Sequence, residues 1–65
     1  MKLSNQQKEL LDIAFKKGLV TIANGHQIWK TKEAIQNNFI QLVANNYLKM
    51  KDYGLYEWTG KEYDL

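Results

Sequence analysis

Apolar residues along this chain keep a helical period twice, and each time the period gives way to alternation. The first helical stretch carries Leu10, Leu11, Ile13, Ala14 and Phe15, with Leu3 further back and Lys8, Glu9, Asp12 and Lys16 on the remaining face. It opens on Ser4-Asn5-Gln6-Gln7, the S-x-x-Q pattern of a capping box. There the Ser4 hydroxyl accepts from the Gln7 N–H, and the Gln7 side chain reaches back to the Ser4 N–H. Gly18 follows, the residue type that ends a helix in left-handed geometry. The second helical stretch has Thr31 as N-cap, Glu33 in its first turn, and Ile35, Phe39, Leu42 and Val43 at i, i+4, i+7, i+8. Asn46 stands where Gly18 stood, being the next most tolerant residue in that geometry.

The alternating stretches predict hairpins. Val20-Thr21-Ile22-Ala23 is rich in β-branched residues, Asn24-Gly25 is the preferred type I′ pair, and His26 to Lys30 returns. That loop pairs Ala23 with His26, Ile22 with Gln27, Thr21 with Ile28 and Val20 with Trp29. A second hairpin runs from Tyr47 to Thr59, with Asp52-Tyr53-Gly54 as a three-residue loop. Its register pairs Lys51 with Leu55, Met50 with Tyr56, Lys49 with Glu57 and Leu48 with Trp58. One face is apolar, and Lys49 opposite Glu57 sets opposite charges on the other.

Overlaid, the halves agree. Gly18 and Asn46 are 28 positions apart, as are Val20 and Leu48, and Ile22 and Met50. The expected fold is α+β, one domain over residues 1–65, with a helix–hairpin unit over 4–30, a second over 31–59 and a short tail over 60–65. Two tandem αββ units then form a four-stranded antiparallel sheet with both helices packed on one face. In the tail, Tyr63 and Leu65 are placed to cover a sheet edge or the core rim.

The run Phe39-Ile40-Gln41-Leu42-Val43-Ala44-Asn45-Asn46-Tyr47-Leu48-Lys49, followed by Gly54-Leu55-Tyr56-Glu57-Trp58-Thr59-Gly60-Lys61, resembles the C-terminal part of a winged helix-turn-helix domain. In that family a recognition helix runs into a two-stranded wing. The resemblance covers roughly half the chain, and implies a winged helix as the alternative fold and DNA as the partner. The family also has a middle helix before the recognition helix. Residues 19–30 depart from it, carrying Asn24-Gly25 within a β-branched run.

Composition narrows the chemistry. Among 65 residues there is no Cys and one His, so disulfides, thiolate metal sites and multi-histidine sites are excluded, and no cofactor is expected. Net charge is +2, and all nine basic residues are Lys. No apolar run approaches membrane-spanning length, so no membrane partner is expected and a cytoplasmic domain is. The seven carboxylates are scattered, no Ser accompanies His26, and no glycine-rich phosphate loop occurs. Neither an enzyme nor a small-molecule substrate is expected. Abundant Lys, Asn and Gln without Arg or Pro suits an AT-rich coding source such as a phage or mobile element.

Two surfaces remain as candidates once Trp29 and Trp58 are assigned to the core. The outer face of the second helix carries Asn37, Asn38, Gln41 and Asn45, amides of the kind that read adenine in a major groove. Lys30, Lys32, Lys49, Lys51 and Lys61 belong to the strands, helix start and tail of the expected binding side and are placed to neutralise phosphates, and Tyr53 stands at a loop tip. The open face of the expected sheet instead gathers Ile28, Tyr47 and Leu55, with Thr21 and Ala23, as a patch for a protein partner or a homodimer. The first surface points to a small DNA-binding regulatory protein, the second to a protein-binding adaptor or inhibitor.

Overall fold

The computed structural model describes residues 1–63; Asp64, and Leu65 with its expected edge-covering role, lie outside the described residues. The elements are α1 (Asn5–Lys17), β1 (Leu19–Thr21), α2 (Ile22–Ile28), α3 (Lys32–Ala44), β2 (Leu48–Asp52) and β3 (Leu55–Trp58). The three strands form an antiparallel sheet in the order β1-β3-β2. The fold is a small α+β one, but among the described residues three helices and three strands stand in place of the four-stranded tandem arrangement.

The two long helices begin and end as the sequence dictates. The Gln7 N–H donates to Ser4 Oγ at 3.1 Å and the Ser4 N–H to Gln7 Oε1 at 2.9 Å, closing the capping box. The Thr31 hydroxyl accepts from the Ala34 N–H at 3.1 Å. Gly18 and Asn46 both take left-handed backbone, at φ 81° and 64°.

Asn24-Gly25 does not make a turn. Residues 22–28 are helical, so the expected pairs from Ala23–His26 to Val20–Trp29 do not form, and Val20 pairs with Tyr56 instead. Asn24 acts as a cap: its Oδ1 accepts from the Thr21 N–H at 2.8 Å and from the Thr21 hydroxyl at 3.2 Å. Gly25 is buried against α3, where an added Cβ would stand 2.8 Å from Ile35 Cγ2 and 3.0 Å from Phe39 Cε1. The glycine permits close approach of two helices rather than a positive φ. The 28-residue correspondence accordingly runs through helix and stop and breaks at Ile22, which opens α2 while Met50 lies within β2.

The second hairpin keeps three of its expected pairs, Leu48–Trp58, Lys49–Glu57 and Met50–Tyr56. The fourth differs: Asp52, not Lys51, faces Leu55, with a bulge between Met50 and Asp52. An extra residue in one strand shortens the loop to Tyr53-Gly54 and sharpens the local twist. Gly54 takes φ 72° there, and its carbonyl accepts from the Ile22 N–H at 3.3 Å, tying the hairpin tip to the start of α2.

The core joins Leu10, Leu11 and Ala14 of α1 to Val20, to Ile35, Phe39 and Leu42 of α3, and to Leu48 and Tyr56 of the sheet. Trp29 is buried as expected, although it follows a helix and not a strand. Trp58 is half-buried, with Phe15 edge-on at 5.1 Å and Tyr63 at 6.3 Å. Tyr63 thus covers the core rim, and its hydroxyl donates to Asp12 Oδ1 at 2.9 Å.

Two outcomes follow from this packing. Gly25→Ala should lower stability by about 1–3 kcal/mol, the usual cost of overpacking, as read by urea denaturation. Equal or higher stability, which the helix propensity of Ala alone would give, would contradict the close approach. Partial burial, with the Asp12 hydrogen bond and charge, pushes the Tyr63 phenol up to about 12. The folded chain therefore holds a proton that the unfolded chain has lost, so stability falls as pH rises from about 10 to 12. Tyr63→Phe should lessen that alkaline loss, and identical alkaline profiles for the two chains would contradict it.

Candidate functional site

Helix α3 buries Ile35, Phe39 and Leu42, which leaves Gln36, Asn37, Ile40 and Ala44 on the opposite, exposed stripe. The predicted amide row divides between these faces. Asn37 stays on the outer stripe. Asn38 and Gln41 are drawn toward α1 by Gln7, which is only 4% exposed. Its Nε2 donates to Asn38 Oδ1 at 2.9 Å and to Gln41 Oε1 at 3.1 Å. Asn38 Nδ2 in turn donates to the Ala34 carbonyl at 2.7 Å, and Asn45 Nδ2 to the Gln41 carbonyl at 2.8 Å. A buried amide leaves a donor or acceptor unpaired at considerable cost, so Gln7 selects polar neighbours on α3. Among the described residues, no buried side-chain nitrogen or oxygen lacks a partner.

Sequence reasoning passed over Gln36 and Ile40. The signal was present, because the period of Ile35, Phe39 and Leu42 turns both of them outward. Ile40 is 64% exposed. A groove of about 590 Å³ lies between this helix and the hairpin, lined in part by Lys32, Gln36, Ile40, Met50 and Tyr53, with His26 of α2 at its side. Met50 is 55% and Tyr53 97% exposed. Among the described residues, its lining holds one ammonium, Lys32, one imidazole, His26, and the phenols Tyr53 and Tyr56, without a carboxylate.

The lysines are not equivalent. Lys49 and Lys51 are exposed on β2, Lys49 with its Nζ 4.0 Å from Glu57 Oε1, a loose surface pair worth about 1 kcal/mol at most. Lys61 is engaged elsewhere: its ammonium donates to the Asn45 carbonyl at 2.9 Å and lies 4.5 Å from the Tyr47 ring centroid. Lys30 is exposed in the α2–α3 connection.

The expected protein-binding patch is not assembled on one open sheet face. Tyr47 is buried, Ile28 belongs to α2, and Leu55 is half-buried on β3. The patch presupposed strands over residues 20–30, and the helix at Ile22–Ile28 removes that premise. Among the described residues, no three carboxylate or imidazole side chains gather as a metal site. No helix among them is long and apolar enough to cross a membrane.

Gln7→Ala opens the capping box and frees two amide acceptors on α3, so it should cost about 1–3 kcal/mol. Combined with Asn38→Ala, the two losses should fall short of additivity in a double-mutant cycle. A Gln7→Ala chain within about 0.5 kcal/mol of the parent, the range of an ordinary surface change, would contradict the role of this link.

No family model, curated protein or solved structure matches the chain.

Proposed function

We propose that this protein is a small, non-enzymatic, cytoplasmic DNA-binding regulator of the winged-helix type, with α3 as recognition helix and the β2–β3 hairpin as wing. The observation that carries this reading is the helix Ile22–Ile28. It supplies a helix ahead of α3, the one part that the resemblance required and the sequence lacked. The succession α1, α2, α3 and then the β2–β3 hairpin supports the reading, because the resemblance implies a first helix, a middle helix, a recognition helix and a two-stranded wing.

The chemistry of the exposed face is consistent with this role. Asn37 and Gln36 offer amides to base edges, and Gln41 remains exposed beside them. Lys32 at the start of α3 and Lys49 and Lys51 on the hairpin supply cations for phosphates, with Tyr53 at the wing tip. Asn38 and Asn45 serve by fixing the helix on which this face is built.

Each neutralised phosphate adds close to 0.9 to the slope of log affinity against log salt, so three lysines should give a slope near about −3. Lys49→Gln with Lys51→Gln should flatten that slope by about two and weaken binding at least about tenfold, in anisotropy titrations of a fluorescent duplex. Gln is preferred to Glu there, because a carboxylate at position 49 would face Glu57 across the ladder. Unchanged binding and slope, with an unchanged thermal midpoint, would refute the reading.

A further inference from the structure

The outer stripe of α3 sets two amides beside an apolar side chain. Gln36 and Asn37 are exposed, and among the described residues neither side chain has an intramolecular hydrogen-bond partner, unlike Asn38, Gln41 and Asn45. Ile40 stands one turn further on, at i+4 from Gln36 and i+3 from Asn37, so all three share one patch of helix surface. Ile40 is also the large exposed apolar residue on this helix, at 64%. It adjoins the exposed Met50 and Tyr53 across the groove, so the apolar surface there is continuous and fits an apolar group of a partner.

We infer that α3 selects A·T base pairs in the major groove, with Gln36 and Asn37 bonding the adenine edge and Ile40 packing on the thymine methyl. This rests on the DNA-binding reading and names the base composition that reading leaves open. An A·T pair presents a donor at adenine N6, an acceptor at N7 and the thymine C5-methyl side by side. An amide is both donor and acceptor and matches N6 and N7, while a branched aliphatic side chain matches the methyl. The alternative is weakly provided for: the chain has no Arg to fork onto guanine, and the only Lys of α3 is its first residue, Lys32. Glu33, the carboxylate on this helix, lies in the first turn, where the helix dipole favours it.

The test uses the full chain and four duplexes of one length: alternating A·T, alternating G·C, the A·T duplex with uracil replacing thymine, and alternating inosine·cytosine. The uracil duplex lacks only the C5-methyl. The inosine duplex keeps an A·T-like minor groove beneath a G·C-like major groove. The A·T duplex should bind at least about tenfold tighter than the G·C and inosine duplexes, the value of one good bidentate contact. Uracil substitution should weaken binding about three- to fivefold per covered methyl. For Ile40→Ala the thymine and uracil duplexes should bind alike, and for Asn37→Ala the preference for A·T should fall. Equal affinity for A·T and G·C, with salt dependence intact, overturns the inference and leaves the DNA-binding reading standing. Inosine and A·T duplexes bound alike would mean minor-groove selection and overturn it too, as would a uracil effect that persists in Ile40→Ala. Failure to bind any duplex at low salt overturns both.

Discussion

The contact on which the rest of this fold depends is the approach of α2 to α3 at Gly25. With no side chain there, the α2 backbone rests on Ile35 and Phe39, and nothing larger fits without a shift. That contact holds α2 as a helix despite its length of seven residues, well below what is stable alone. It also leaves β1 only three residues, Leu19–Thr21, whose partner is β3 rather than the segment that follows them. The hairpin tip is seated on Ile22, the first residue of the helix that this contact holds.

A second constraint is polar. Gln7 closes the cap of α1 with its carbonyl and holds Asn38 and Gln41 with its amide nitrogen, so one side chain completes a helix start and fixes how α3 meets α1. The apolar contacts of Leu10, Leu11 and Ala14 give that junction its energy, while the amide cluster gives it a register. Amides that resemble a recognition surface in the sequence are thus partly scaffold. What remains free is Gln36, Asn37 and Ile40, flanked by Lys32 and the exposed hairpin.

Local signals in the sequence match the structure wherever local interactions decide it. Ser4, Gly18, Thr31 and Asn46 set the ends of α1 and α3 through bonds within one turn, and Leu48, Lys49 and Met50 find their partners through adjacent alternation. Local signals mislead where a tertiary contact overrides them. Asn24-Gly25 is a strong hairpin signal, yet Asn24 serves equally as a cap partner and Gly25 as a helix contact, and only Ile35 and Phe39 ten and more residues away decide between them. The bulge at Lys51 was illegible for the same reason, since the tip is tied to Ile22 across the fold. For the candidate site, the lysines and Asn37 were legible as exposed polar positions. The link of Asn38 and Gln41 to α1 was not, because it is set by the buried Gln7 amide far upstream in the chain.

The DNA-binding proposal and the base preference inferred from it both start from a helix at residues 22–28, and backbone NMR tests that helix without any partner. Cα secondary shifts over Ile22–Ile28 should be helical, and Gly25 Hα should show NOEs to the Ile35 methyls and the Phe39 ring. Extended shifts over these residues, with cross-strand NOEs between Ala23 and His26 and between Thr21 and Ile28, would contradict it and restore the tandem hairpins.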